Sequence, residues 1–181
     1  MDIAFQSTVI DIDTMLRVEG REFIKVVTGP VAKNMITAFF FQLSKINAGA
    51  SRPKGIEKNP TRKLGVLGAG MMGQGIAYVA AKVGIEVILK DMTQEAADKG
   101  KAYSEALVNK AVKRGKMFQS QADTLLGLIT PTANNEDLRG CDLIIEAVFE
   151  NIELKNKIIA NTEQYLSEDG FWGSNTSTLP I

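Results

Sequence analysis

Gly68-Ala69-Gly70-Met71-Met72-Gly73 spells the pattern G-x-G-x-x-G, and Asp91 follows the first glycine after roughly twenty residues. Each residue type suits the holding of a dinucleotide. Gly68 permits a tight turn from a strand into a helix. Gly70 lacks the side chain that would keep a pyrophosphate off the backbone, and Gly73 lets the helix lie close on the strand. The helix then offers unpaired N–H groups and the positive end of its dipole to the phosphates. Asp91 ends the next apolar run, where a carboxylate accepts hydrogen bonds from the adenosine ribose. The same charge repels a 2′-phosphate, so NAD is favoured over NADP.

Two further segments have chemistry to offer. Ala147-Val148-Phe149-Glu150 follows an apolar run and precedes a helical pattern, with Lys155 about one helical turn further on. Its backbone can pass along a nicotinamide ribose. Glu150 could equally complement a helix N-terminus, and Lys155 could equally be a solvated surface lysine. Ser174-Asn175-Thr176-Ser177 can bind a ligand or cap the next helix. Histidine is absent, so neither Ser177 nor Cys141 has the usual base to activate it. A dehydrogenase acting on a hydroxyl group also needs a base that titrates near neutrality. That lack, and the end of the chain at Pro180-Ile181, lead us to expect a fragment.

Composition narrows the classes. The 181 residues can hold one ordinary domain and an appendage. Lys and Arg number 21, as do Asp and Glu, so no net field recruits nucleic acid or an anionic membrane. One cysteine cannot form an internal disulfide, which suits a reducing compartment. Without histidine or a cysteine cluster no metal site is expected. No leader-like start or membrane-length apolar run is present, so a soluble cytoplasmic protein is expected.

The elements that must position these residues follow from periodicity. Residues from Ile12 to Ile46 read as helical, broken at Gly29-Pro30, with Thr28 or Gly29 capping the second part and Pro30 in its first turn. Val31, Met35, Phe39, Leu43 and Ile46 form an apolar stripe widened by Phe40 and Phe41. It needs a partner, either the following domain or a segment outside this chain. Residues 47–61 read as a linker.

From Arg62 strands and helices alternate, as in a parallel sheet covered on both faces. Strands are expected at Leu64–Leu67, Val87–Leu89, Leu128–Thr132, Cys141–Val148 and Phe171–Ser174. The first helix should bury Ile76, Val79, Ala80 and Val83 and stop at Gly84. A second, Gln94–Lys113, should bury Tyr103, Leu107 and Ala111. A short helix at Gln119–Leu126, capped by Ser120 or a neighbour, precedes a polar turn at Asn134–Asp137. The last helix, Ile152–Leu166, should turn Leu154, Ile158, Ile159, Thr162 and Tyr165 inward.

Four blocks, GVLGAGMMGQGIAY, ILKDM, DLIIEAVFENIELK and GSNTSTLPI, resemble in order and spacing the NAD-binding domain of 3-hydroxyacyl-CoA dehydrogenases. The likeness is strongest to the long-chain type in the α-subunit of the multifunctional fatty-acid oxidation complex. It covers residues 62–181. The preceding EGREFIKVV and KNMITAFFFQLSKINAGASRPKGI look like the helical stretch joining the hydratase/isomerase and dehydrogenase domains of such subunits. The resemblance implies an α/β Rossmann-type doubly wound parallel sheet at 62–181, preceded by a helical interdomain remnant at 1–46. It implies NAD as cofactor, with the pyrophosphate on the glycine turn through Met72 (Gly68, Gly70, Met71, Met72), Gly73 completing the cofactor-binding motif, and the adenosine ribose on Asp91. Ala147, Val148, Phe149, Glu150 and Lys155 would lie along the nicotinamide half and the acyl-CoA path. Ser177 would touch cofactor and substrate hydroxyl and assist catalysis. Family chemistry is oxidation of an L-3-hydroxyacyl-CoA in β-oxidation, in an oligomer that can include a thiolase subunit.

The departure is that the family's general-base histidine and its glutamate partner, in an HFFNP-like stretch, do not occur in this chain. Nor does the helical domain that closes over the acyl-CoA. The chain alone is therefore expected to bind NAD without turnover. Other readings of the glycine turn are a different NAD-dependent β-hydroxyacid or sugar-acid dehydrogenase, a non-catalytic NAD-binding or interaction module, and an FAD site.

Overall fold

A computed structural model describes residues 2–55, 59–177 and 179. Residues 56–58 of the expected linker, and Thr178, Pro180 and Ile181 of the terminal segment, lie outside the described residues. The chain divides into two compact units, Met1–Lys58 and Asn59–Ile181.

The first unit is helical: α1 Asp2–Gln6, α2 Ile12–Thr28, α3 Pro30–Met35 and α4 Leu43–Asn47. Asp11 caps α2 by accepting from the Thr14 N–H at 3.0 Å. Gly29 then ends α2 and caps α3, whose first residue is Pro30, as the missing proline N–H and its fixed φ favour. Between α3 and α4 the chain winds as a π-helix over Ile36–Gln42, where an uninterrupted α-helix was expected. There Phe40 and Phe41 meet edge to face with centroids 5.3 Å apart. The wider turn breaks the 3.6-residue register of the Val31–Ile46 stripe, so its residues do not form one straight row. Phe23, Phe39, Phe40 and Phe41 are all exposed.

The second unit is an all-parallel five-stranded sheet built from β1 Lys63–Leu67, β2 Glu86–Lys90, β3 Ile129–Thr132, β4 Cys141–Glu146 and β5 Leu166–Ser174. The order across the sheet is β3-β2-β1-β4-β5. This is the doubly wound Rossmann order, with its switch point between β1 and β4. The last residues of the strands, Thr132, Lys90, Leu67, Glu146 and Ser174, stand level in the register. Every loop after a strand therefore leaves from one line.

Period-two alternation divides the core. Leu64, Val66, Val87, Leu89 and Ile129 pack on one face with residues of α5 Met71–Lys82, α6 Gln94–Lys113 and α7 Gln119–Gly127. Leu67, Ile88, Ile144 and Cys141 pack on the other with Ile158 of α8 Ile152–Thr162 and with Tyr165. Asp142 pins the entry of β1, accepting from the backbone N–H of Arg62 at 2.7 Å and of Lys63 at 2.8 Å.

Two helices bury different faces from those expected. On α5 the buried residues are Gly73, Ala77, Ala80 and Ala81. Val79 and Val83 are exposed and Ile76 is half-buried. The helix lies so close to the sheet that a Cβ on Gly73 would overlap the Gly68 carbonyl oxygen, and only small side chains fit such an approach. On α6 the buried row is Ala97, Gly100, Ser104 and Val108, one residue out of phase with Tyr103, Leu107 and Ala111. Gly100 sets that phase, since a Cβ there would meet Ala69 Cβ at 2.7 Å.

Element ends also differ. Phe118, not Ser120, caps α7, and its N–H donates to the Gln121 Oε1 at 3.0 Å. The polar turn is a 3-10 helix at Asn135–Leu138. Helix α8 stops at Thr162, whose hydroxyl bonds back to the Ile158 carbonyl, and a 3-10 turn at Glu163–Tyr165 follows. β4 ends at Glu146 rather than Val148, and β5 begins at Leu166 rather than Phe171. The β4–β5 register shifts between Cys141 and Leu143, which lets β5 take up the Ser167–Gly170 segment.

Candidate functional site

Above the switch point a cavity of about 550 Å³ opens between the turn after β1 and the loop after β4. Gly68, Gly70, Met71, Met72, Asp91, Ala147, Val148 and Phe149 all line it. Strand ends from both halves of the sheet therefore meet where a ligand of an open α/β fold belongs.

The glycine turn is fixed by close approaches. Gly68 sits at φ +95°, and a Cβ there would lie 2.7 Å from the Ala147 carbonyl oxygen. Its N–H donates to the Lys90 carbonyl at 2.8 Å, so β1 passes directly into the turn. Gly70 caps α5 without any side-chain hydrogen bond, and a Cβ on it would meet nothing within 4 Å. The first turn of α5 thus presents N–H groups to the cavity with open space in front of them. That space is what a pyrophosphate needs, so the residues fit an anionic diphosphate.

Asp91 lies directly after β2 and is half-buried. Its Oδ2 accepts from the Ala69 N–H at 2.6 Å and its Oδ1 from the Met92 N–H at 2.7 Å. The carboxylate is thereby tied to the glycine turn itself. Each oxygen keeps lone-pair capacity for a hydroxyl donor from the cavity. Around the mouth stand exposed apolar side chains: Met71 is 81% exposed, Met92 87% and Phe149 87%.

Residues 63–181 match the family model described as the NAD binding domain of 3-hydroxyacyl-CoA dehydrogenase. The chain belongs to the 3-hydroxyacyl-CoA dehydrogenase family. Its matched region is the family's NAD-binding domain, and NAD is the cofactor this domain holds. Solved structures agree. M. tuberculosis FadB2 is 35% identical with a TM-score of 0.64, over 68% of this chain and 44% of that one. The (S)-3-hydroxybutyryl-CoA dehydrogenase PaaH1 of Ralstonia eutropha is 33% identical with a TM-score of 0.62, over 66% and 42%. The 3-hydroxybutyryl-CoA dehydrogenase of Escherichia coli K12 is 31% identical with a TM-score of 0.63, over 67% and 26%. The chain thus spans less than half the length of each of these relatives.

Four of the expected site residues lie away from the cavity lining. Gly73 is buried beneath the turn, where it seats the helix. Lys155 is enclosed, with only 2% of its side chain exposed, and its Nζ donates to the Glu146 Oε1 at 2.7 Å. Glu150 is about half exposed, with Oε1 3.8 Å from the Lys155 Nζ, and Oε2 accepts from the Thr176 hydroxyl. Ser177 is exposed, three residues past the end of β5.

Glu146 is the residue that motif reading passed over. It is 0% exposed at the end of β4. Burial opposes its ionisation, but hydrogen bonds from Lys155, Ser174 and the Val148 N–H outweigh that and hold its carboxyl below the ordinary glutamate range. The available signal was a second carboxylate, after Asp142, inside the apolar run CDLIIEAV. Leu154, Ile158 and Thr162 of α8 also line the cavity.

No group of three or more His, Cys, Asp or Glu side chains among the described residues could hold a metal ion. None of the described helices is long and apolar enough to cross a membrane.

Proposed function

We propose that this chain is the NAD-binding part of an L-3-hydroxyacyl-CoA dehydrogenase of fatty-acid β-oxidation, of the long-chain type found in multifunctional α-subunits. The observation that carries the reading is the open cradle at Gly70 standing beside a carboxylate, Asp91, that is bonded to the same turn. When bound, NAD supplies a hydride acceptor. Gly68, Gly70, Met71, Met72 and the first turn of α5 hold its pyrophosphate. Asp91 accepts from the adenosine ribose and disfavours a 2′-phosphate.

The loop Ala147–Glu150 borders the nicotinamide half and the acyl-CoA path, with Lys155 behind it. Ser177 reaches cofactor and substrate hydroxyl and assists catalysis. Residues 1–46 are the remnant of the helical region that joins a hydratase/isomerase domain, and 47–61 are its linker. In the complete cytoplasmic oligomer, which can include a thiolase subunit, a histidine from outside this chain removes the substrate hydroxyl proton.

The test is a spectrophotometric assay of NAD reduction by 3-hydroxyacyl-CoA with the purified chain. Binding of NADH without turnover supports the reading. Steady turnover would contradict the assignment of the base to another segment. In the complete dehydrogenase, Ser177→Ala should lower turnover more than NAD affinity, and equal losses would mean a cofactor-binding role alone.

A further inference from the structure

Glu146 has more partners than neutralising Lys155 requires. Its Oε1 accepts from the Lys155 Nζ at 2.7 Å and from the Val148 N–H at 2.8 Å. Its Oε2 accepts from the Ser174 hydroxyl at 2.7 Å, and its carbonyl oxygen accepts from the Asn175 N–H at 2.8 Å. Ser174 Oγ in turn accepts from the Thr176 N–H at 3.3 Å, and the Thr176 hydroxyl donates to Glu150. Glu150 lies 3.8 Å from the Lys155 Nζ, which closes the ring.

This ring joins three elements: the loop after β4, the start of α8 and the loop after β5. The loop after β4 lines the crevice, the loop after β5 leaves from the strand end level with it, and neither has a regular ladder to fix it. A buried carboxylate is costly unless its oxygens are filled, so the two side-chain donors and the Val148 N–H are held to it. The Lys155 ammonium is enclosed with Glu146 and acts from behind the loop.

We propose that Glu146 is a positioning residue, locking loops 147–150 and 174–177 into the shape that receives the nicotinamide half of NAD. The proposal rests on the dinucleotide reading above. It differs from a purely structural ion pair in which half of the ligand it affects. Loss of a structural pair loosens the whole crevice, whereas loss of the loop lock spares the adenosine half, which is bound by Gly70 and Asp91.

The test is calorimetric titration of the 181-residue chain with NADH and with ADP-ribose, which keeps the adenosine and pyrophosphate but lacks the nicotinamide. Wild type should bind NADH more tightly than ADP-ribose. Glu146→Gln should weaken NADH by about tenfold and leave ADP-ribose within about twofold. Because Glu146→Gln leaves a buried cation and can impair folding, Ser174→Ala provides a second arm that leaves every charge paired. It should weaken NADH by about threefold and leave ADP-ribose unchanged.

Parallel losses for both ligands in the folded variants would overturn the proposal, as would unchanged NADH binding. A wild-type chain that binds ADP-ribose as tightly as NADH would also overturn it while leaving the dinucleotide crevice intact. Binding of neither ligand would instead overturn the dinucleotide reading.

Discussion

The Lys155 ammonium lies 2.7 Å from the Glu146 carboxylate, with 2% of one side chain and none of the other open to solvent. A pair sealed in this way contributes little net stability as a unit, yet breaking it by removing one partner strands a charge. Glu146→Gln should therefore destabilise the second unit by about 3 kcal/mol, whereas Glu146→Gln with Lys155→Met should cost less. Urea unfolding of the two variants checks the order.

The same carboxylate makes stability depend on acid. Its native titration lies below the ordinary glutamate value of 4.5. Its contribution is therefore complete above that value and fades as pH falls through the lowered native one. Asp142, held low by the N–H groups of Lys63 and Arg62, acts in the same direction. Urea midpoints should fall as pH drops below about 4.5 in wild type. A folded Glu146→Gln variant should show a shallower fall, and an identical slope would assign the acid sensitivity elsewhere.

Neighbouring glycines of one motif should fail for different reasons. Gly73→Ala pushes a methyl into the Gly68 carbonyl and should cost about 3 kcal/mol by forced displacement of the turn. Gly70→Ala meets no protein atom within 4 Å. It should melt within a few degrees of wild type yet lose most NADH affinity, because the methyl stands where the pyrophosphate goes. Thermal melts paired with titrations separate the two.

Cys141 is fully buried, and burial pushes its thiol up to about 11. It should react with a thiol reagent at mildly alkaline pH only as fast as the chain unfolds. Rapid labelling of the native protein would show that β4 opens locally.

The sequence was legible where one residue type answers one geometric need. Gly68, Gly70 and Gly73 placed the β1–α5 turn, and apolar runs bounded by turns placed all five strands. It was misleading where packing distance decides. The closeness of α5 to the sheet buried Ala77 and Ala81 and left Val79 and Val83 outside, and Gly100 shifted the buried row of α6 by one residue. Glu146 stayed hidden because its partners, Lys155 and Ser174, come from two later elements that only the fold brings together. Its alternation with Ile144 put it on the α8 face, and nothing local marked that face as charged. The π-turn at Ile36–Gln42 has no signal in composition that we can name.

The central claim is a crevice selective for NAD through Asp91, and it is tested most directly by titrating the chain with NADH and with NADPH. Energy transfer from the lone Trp172, in β5 beside the Ser174–Ser177 loop, supplies the signal. Saturable NADH binding with NADPH at least about tenfold weaker is expected. Asp91→Ala should lower NADH affinity by about tenfold, and Asp91→Ser should narrow the gap between the cofactors. Equal affinity for both cofactors in wild type, or unchanged affinities in both variants, would contradict the account.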